Sequence, residues 1–414
     1  MIAITDRLSC CGCEACVQIC PKHSIAFDED EYGFRYPHVN HNDCVDCGLC
    51  EKTCPVINVG SIVQPQRIVA SKNNNEEQRR ISSSGGIFVL LAEETLRKNG
   101  VVFGAKFDAN WNVVHSCTDT IEGVSSFLGS KYVQSRIFDS YKRAKEYLDE
   151  GRDVLFSGTS CQIAGLKQYL RKDYDKLLSV EVMCHGVPSP RVWRDYLDTI
   201  RESKESGIEG NTVLSFLNNK PFIESISFRD KHEGWGKYGF VVRFSAAQNE
   251  DEKKGLSSEN AQKKRIEIRE PHKKNVFMQA YLSNAIIRPI CFVCPFKSGK
   301  SGADISLGDF WTVNQYLPNI NDDKGITLVY LLTSKGSEAY NTLDVSSYEL
   351  EKGIDYNVAF SRSTKVKYPI DKFWQEYNKL GFKCIGKVKE SLKPSFFKRT
   401  IISLKSRIKK PFNN

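Results

Sequence analysis

Two runs of cysteine carry the most specific chemistry in the chain: Cys10-Cys11-Gly12-Cys13-Glu14-Ala15-Cys16-Val17-Gln18-Ile19-Cys20-Pro21 and Cys44-Val45-Asp46-Cys47-Gly48-Leu49-Cys50-Glu51-Lys52-Thr53-Cys54-Pro55. Each reads C-x2-C-x2-C-x3-C-P, a spacing that holds two 4Fe-4S cubanes. Three thiolates two residues apart wrap a loop around one cubane, and the fourth is carried past it to the other. Cluster 1 is thus expected on Cys10, Cys13, Cys16 and Cys54, and cluster 2 on Cys44, Cys47, Cys50 and Cys20. Pro21 and Pro55 end the short helical turn after each loop. Paired zinc knuckles or disulfides are the rivals. Zinc usually draws its ligands from two C-x2-4-C pairs, which two fourfold runs suit poorly. Cys11 breaks the ligand–spacer alternation and reads as a packed thiol beside the cluster.

The elements that must position these loops belong to a chain of 414 residues, long enough for two or three domains. Fifteen cysteines without a secretory signal argue for metal ligation in a reducing compartment, so the protein is expected to be cytoplasmic. No apolar run reaches the roughly 20 residues of a membrane span. The formal charge of +9 shrinks once clusters are counted, since each cubane with its four thiolates contributes roughly −2. Lys and Arg are scattered without interleaved aromatics, which argues against a nucleic-acid groove.

Residues 1–60 read as a dicluster 4Fe-4S ferredoxin domain, with short strands at 24–27 and 33–37 around an acidic turn. Residues 61–80 are polar and read as a linker. A second domain over 81–345 opens on Ser82-Ser83-Ser84-Gly85-Gly86 and an apolar helix ending at Asn99-Gly100. A Ser/Gly loop entering a helix suits a phosphate, or is simply a serine cap with turn glycines; both readings stand. Strands are expected at 101–107, 113–117 and 177–183, with a helix near 138–150, and 154–167 reads as strand, tight turn and helix. Cys161 follows one strand at a helix entrance, and another strand delivers Cys184-His185. Strand–helix–strand with functional groups at the carboxyl ends suggests an α/β sheet. Further strands are expected at 226–230, 238–244 and 326–332 and a helix at 276–287, while the polar stretch 249–274 reads as a loop. Residues 346–414 form a C-terminal extension. Its basic tail, 395–410, is either a solvated helix or a weak contact for a partner or anionic membrane surface. Cys161, Cys184 and the pair Cys291/Cys294 could close a third four-thiolate site for a cubane or for structural zinc. Cys117 and Cys384 read as structural thiols.

The ordered motifs SSSGG, GSKYVQS, GTSCQIAGLK, CHGVPSP, ISFRDK, RPICFVCPF and ADISLGDFW resemble the coenzyme F-420 hydrogenase/dehydrogenase beta-subunit family, from about residue 65 to 335. The family often has proline where this chain has Ser160. The resemblance implies an α+β or α/β fold in which the ferredoxin domain is fused to a mixed flavin-binding domain. It implies a third 4Fe-4S cluster on Cys161, Cys184, Cys291 and Cys294. It also implies FAD held by Ser83, Ser84, Gly85, Gly86, Lys131, Tyr132 and Gln134. Lys131 is then a candidate for stabilising flavin charge. His185 is a candidate proton relay, with a structural hydrogen bond as its plainer role.

The expected function is an iron-sulfur flavoprotein oxidoreductase. It would pass electrons between the clusters and FAD and on to a deazaflavin or other small-molecule acceptor, with a redox partner protein or ferredoxin at the other end. The resemblance also suggests a place in surface-polysaccharide biosynthesis, since some fused bacterial relatives of this type occur in such pathways. The alternative is an electron-relay subunit of a larger complex with no substrate site of its own.

Overall fold

The computed structural model describes residues 1–4, 6–201, 222–245 and 266–392. The basic tail and the first part of the polar stretch, up to residue 265, lie outside these.

Thirteen strands are described: β1 (Ile25–Glu29), β2 (Arg35–Val39), β3 (Arg67–Asn73), β4 (Val101–Phe107), β5 (Val113–Thr118), β6 (Val154–Thr159), β7 (Leu177–Val182), β8 (Phe222–Asp230), β9 (Gly239–Ser245), β10 (Ile266–Pro271), β11 (Ile305–Asp309), β12 (Thr327–Leu331) and β13 (Val345–Glu349). Eight form one sheet in the order β13-β3-β12-β11-β7-β6-β4-β5. Its centre, β11-β7-β6-β4, is parallel, and antiparallel strands flank it on both sides. β4 and β6 open on apolar runs, Val101-Val102-Phe103 and Val154-Leu155-Phe156, as suits strands covered on both faces, whereas β7 and β11 bury Ser179, Glu181 and Ser306 among their apolar residues. Val69, Val102, Leu155, Val180 and Val329 pack with the helix Ile87–Arg97 on one face. On the other, Ile68, Phe103, Phe156 and Leu328 share a core with Tyr141 and Ile163. That core also contains Cys11, Cys13 and Ala15 of the first cysteine loop.

A second core joins the β10-β9-β8 sheet to Tyr32 and Phe34 of the β1–β2 region, Trp193, and the helix Ile370–Leu380. Tyr32 stacks on Trp374 at 4.6 Å and its hydroxyl donates to Asp371 at 3.2 Å, tying the C-terminal segment to the cysteine-rich module.

Four sequence expectations are corrected. Residues 61–80 are no mere linker: β3 lies between β12 and β13 in the main sheet. Its apolar triplet Ile68-Val69-Ala70 is buried by partners more than 250 residues away, which local composition cannot signal. The boundary at 345/346 cuts through β13, which pairs with β3. Within the expected loop 249–274, residues 266–271 form β10 along β9, where Glu267 and Arg243 pair across the strands at 2.8 Å. The helix expected at 276–287 ends at Leu282.

Candidate metal centres

The two cysteine loops share one backbone. Left-handed residues fall at Gly12 and Glu14 in the first and at Asp46 and Gly48 in the second. Short helices, Ala15–Ile19 and Leu49–Lys52, follow each loop and stop before the prolines.

Cys10, Cys13 and Cys16 lie within electrostatic reach of one another, Cys54 is within reach of Cys10 and Cys16, and Cys50 of the second loop also reaches Cys16 and Cys54. Burial and these neighbours push the Cys16 thiol well up, so the free thiol is disfavoured as an anion and a cation is needed to hold it as thiolate. Cys20, Cys44, Cys47 and Cys50 line one common hollow. For Cys20, burial opposes ionisation, but hydrogen bonds from Ser24, Lys22 and His23 outweigh it and hold the thiol below its ordinary value. Thr53, beside Cys54, keeps a fully buried hydroxyl without a hydrogen-bond partner, a donor free for an acceptor such as sulfide. The chemistry of both expected quartets, clustered buried or hydrogen-bonded thiols, fits cubane iron.

The third quartet comes from three segments, two of them at the carboxyl ends of parallel strands. β6 runs into the helix Ser160–Leu170, whose first turn carries Cys161; β7 delivers Cys184; the 3-10 turn Pro289–Val293 carries Cys291 and leads into Cys294. Every pair of these thiols is electrostatically coupled. Thr159 meets the Cys161 sulfur at 3.2 Å, and the Gln162 carboxamide oxygen accepts from the Thr159 N–H at 2.9 Å, fixing this turn. Burial raises the Cys184 thiol to about 12, against the pull of Lys297. The Lys297 ammonium donates to the Cys184 carbonyl at 2.6 Å. Among the described residues, no three His, Cys, Asp or Glu side chains converge on a point suited to a single metal ion. A cubane spreads its ligands more widely than one zinc does.

Contacts that sequence reasoning missed join the first loop to this quartet. The Cys11 thiol lies within hydrogen-bonding reach of both Cys13 and Cys161. Gly165, on the helix after β6, has no room for a side chain: a Cβ would sit 3.0 Å from Cys13 Cβ and 2.9 Å from the Tyr141 hydroxyl. Gln18 accepts from the N–H groups of Tyr141 and Lys142 at 3.1 and 3.2 Å, capping the helix Ser140–Asp149 from outside. Glu14 pairs with Arg136 and accepts from Phe138 N–H at 2.9 Å. The only sequence signal was Cys11, an extra thiol inside a ligand motif.

The residues assigned to flavin by resemblance divide. Ser83 accepts from Ser130 N–H at 2.6 Å, next to Lys131. Lys131 donates to the Leu128 and Gly129 carbonyls at 3.0 and 3.1 Å, and desolvation lowers its ammonium to about 7. Tyr132 stacks on Tyr281 at 4.8 Å and meets Arg229 at 3.4 Å. Ser84 and Gly85 are spent on packing: Ser84 donates to the Ile326 carbonyl and Gly85 N–H to Thr327, each at 2.9 Å. Gly86, with φ +84°, is the helix N-cap, so no serine caps this helix. Gln134 does not join the group. Its amide donates to the Cys11 carbonyl at 3.1 Å and its oxygen accepts from Arg288 at 3.0 Å. His185 bonds Asn284 at 2.8 Å and Thr364 at 3.2 Å, and burial lowers its pKa, as suits a structural imidazole.

A family model for the C-terminal region of the coenzyme F420 hydrogenase/dehydrogenase beta subunit matches residues 151–357, and a 4Fe-4S dicluster domain model matches residues 9–58. The ketoisovalerate oxidoreductase subunit VorC of Methanothermobacter marburgensis is 33% identical over 57 residues, 13% of this chain and 72% of that protein. A 7Fe ferredoxin of Hydrogenibacillus schlegelii is 40% identical over 42 residues, 10% of this chain and 47% of that one. Among solved structures, a chain of the F420-reducing [NiFe] hydrogenase complex from Methanosarcina barkeri aligns over 80% of this chain and 90% of its own length, at 16% identity and a TM-score of 0.42. No helix among the described residues is long and apolar enough to cross a membrane.

Proposed function

Since the chain belongs to the coenzyme F420 hydrogenase/dehydrogenase beta-subunit family and carries a 4Fe-4S dicluster domain, we propose that it is an electron-relay oxidoreductase subunit with three cubanes in line. Cluster 2 would sit on Cys20, Cys44, Cys47 and Cys50. Cluster 1 would sit on Cys10, Cys13, Cys16 and Cys54, and cluster 3 on Cys161, Cys184, Cys291 and Cys294. Such clusters, when bound, supply one-electron transfer. The chain's own contribution is to hold the loops in register, desolvate the inner ligands and leave the second loop open to a redox partner protein or ferredoxin. Cys47 is exposed there. The observation that supports this reading is that four thiols from three remote segments lie within electrostatic reach of one another, beside a Cys11 that also bonds Cys13. Anaerobic purification with iron and sulfide analysis tests it: roughly twelve irons per chain are expected, falling by about four in Cys184→Ser. Zinc in place of iron, or about eight irons in both proteins, would refute it.

A second reading adds FAD and a deazaflavin or other organic acceptor, in surface-polysaccharide synthesis or elsewhere. The meeting of Ser83, Ser130 and the desolvated Lys131 favours it. Lys131 would then face the flavin's negative charge. Acid denaturation that releases a yellow cofactor supports this reading, and a colourless supernatant removes it.

A further inference from the structure

Arg288 lies between the first cysteine loop and the strand-end thiols with none of its surface exposed. Among the described residues it has no carboxylate partner. Its Nε donates to the Cys10 carbonyl at 3.0 Å, and its terminal nitrogens donate to Gln134 at 3.0 Å and to the Arg35 carbonyl at 2.9 Å. The Tyr36 ring lies 4.4 Å from the guanidinium carbon. A buried cation satisfied only by neutral groups is costly unless negative charge stands nearby. The Cys291 N–H donates to the Arg288 carbonyl at 3.0 Å, and the thiols that bear on the guanidinium are Cys10, Cys11, Cys161 and Cys291. Cys10 belongs to the cluster 1 quartet and Cys291 to the cluster 3 quartet, and Cys11 touches both sets. Among the described residues, no hydrogen bond runs from Arg288 to the second loop.

We propose that Arg288 is a positioning residue whose fixed charge raises the reduction potentials of clusters 1 and 3 together and leaves cluster 2 alone. A reduced cubane carries one more negative charge than an oxidised one, so a nearby cation favours reduction, and low-dielectric surroundings enlarge the effect. The hydrogen bonds to Cys10, Gln134 and Arg35 hold the guanidinium at the junction, so a single side chain biases both neighbouring centres in the same direction. This inference rests on the three-cluster relay.

The test is a redox titration of the full chain, prepared anaerobically and followed by electron paramagnetic resonance, with Arg288→Gln and Arg288→Lys beside the parent. In Arg288→Gln, two of the three midpoints should fall, lowering the reduced-to-oxidised ratio at a fixed potential about tenfold, or 59 mV for a one-electron couple. Arg288→Lys should recover most of that shift, because the charge returns although the fork does not. Unmoved midpoints in Arg288→Gln, an equal fall in all three, or a lysine variant as low as the glutamine one would overturn the proposal. If Arg288→Gln assembles no clusters, Gln134→Glu sets a carboxylate against the guanidinium and should lower the same two midpoints; no shift there overturns it equally. A parent protein short of three clusters refutes the relay and this inference together. A full complement with unmoved midpoints refutes this inference alone.

Discussion

The two cysteine loops have the same ligand spacing and the same left-handed backbone positions, yet each uses its glycine at a different one. In the first loop Gly12 takes the earlier position and Glu14 the later; in the second, Asp46 takes the earlier and Gly48 the later. The acidic residue that accepts the strained conformation does opposite things. Glu14 is buried and fastens its loop to Arg136 and the Phe138 amide. Asp46, with its side chain 77% exposed, meets among the described residues the chain's amino terminus, at 3.2 Å. A Cβ at Gly12 would meet Gln134 and Arg288, whereas among the described residues one at Gly48 would meet nothing within 4 Å. One loop is thus a component of the sheet's core and the other is a surface. In the proposed relay, the surface loop would be the end open to a partner and the embedded loop the inner end.

Matched substitutions can break this comparison. The largest contrast is expected between Glu14→Ala and Asp46→Ala. The first strands the half-buried Arg136 and should cost about 3 kcal/mol in denaturant unfolding. The second should leave the midpoint where it is. Equal losses would mean that the first loop is not anchored through Glu14.

Next come Gly12→Ala and Gly48→Ala. Both force alanine into positive φ, worth about 1 kcal/mol each. Only at Gly12 does the new Cβ fall 2.6 Å from the Gln134 amide, so its loss should be about 2 kcal/mol. Chemical denaturation of the iron-loaded variants measures both.

A smaller effect separates the loops by pH. His115, 5% exposed behind the first loop's anchor, bonds the Ser157 carbonyl and Ser135 at 3.0 Å. Desolvation lowers its pKa from 6.5 to about 4. The unfolded chain therefore binds the proton first. The stabilisation is complete above pH 6.5 and is lost as pH falls towards 4, by about 1 kcal/mol at pH 5.5. His115→Gln should flatten that part of the stability profile; an unchanged acid slope would contradict the assignment.

Much of this was legible in the chain itself. The cysteine quartets, the strands leading to Cys161 and Cys184, and the helix after Gly86 are written in local spacing and apolar runs. What escaped depends on distant partners. The Ile68-Val69-Ala70 triplet becomes a strand only because β12 and β13 arrive from the far end of the chain. Gln134 sits in a motif that resemblance assigned to flavin, yet it points to Cys11 and Arg288. Arg288 itself, next to a proline and a C-x2-C pair, looks like any surface arginine until the first loop closes over it. A buried cation cannot be recognised without knowing what buries it.

The central claim is that the embedded loop, and not the exposed one, stands next to the third thiol quartet. The most direct measurement is the electron paramagnetic resonance spectrum of the fully reduced protein, before and after Cys184→Ser removes the third centre. The account predicts that cluster 1 loses its magnetic coupling to a neighbour while the cluster 2 signal keeps its shape. A spectrum in which cluster 2 changes and cluster 1 does not would contradict it.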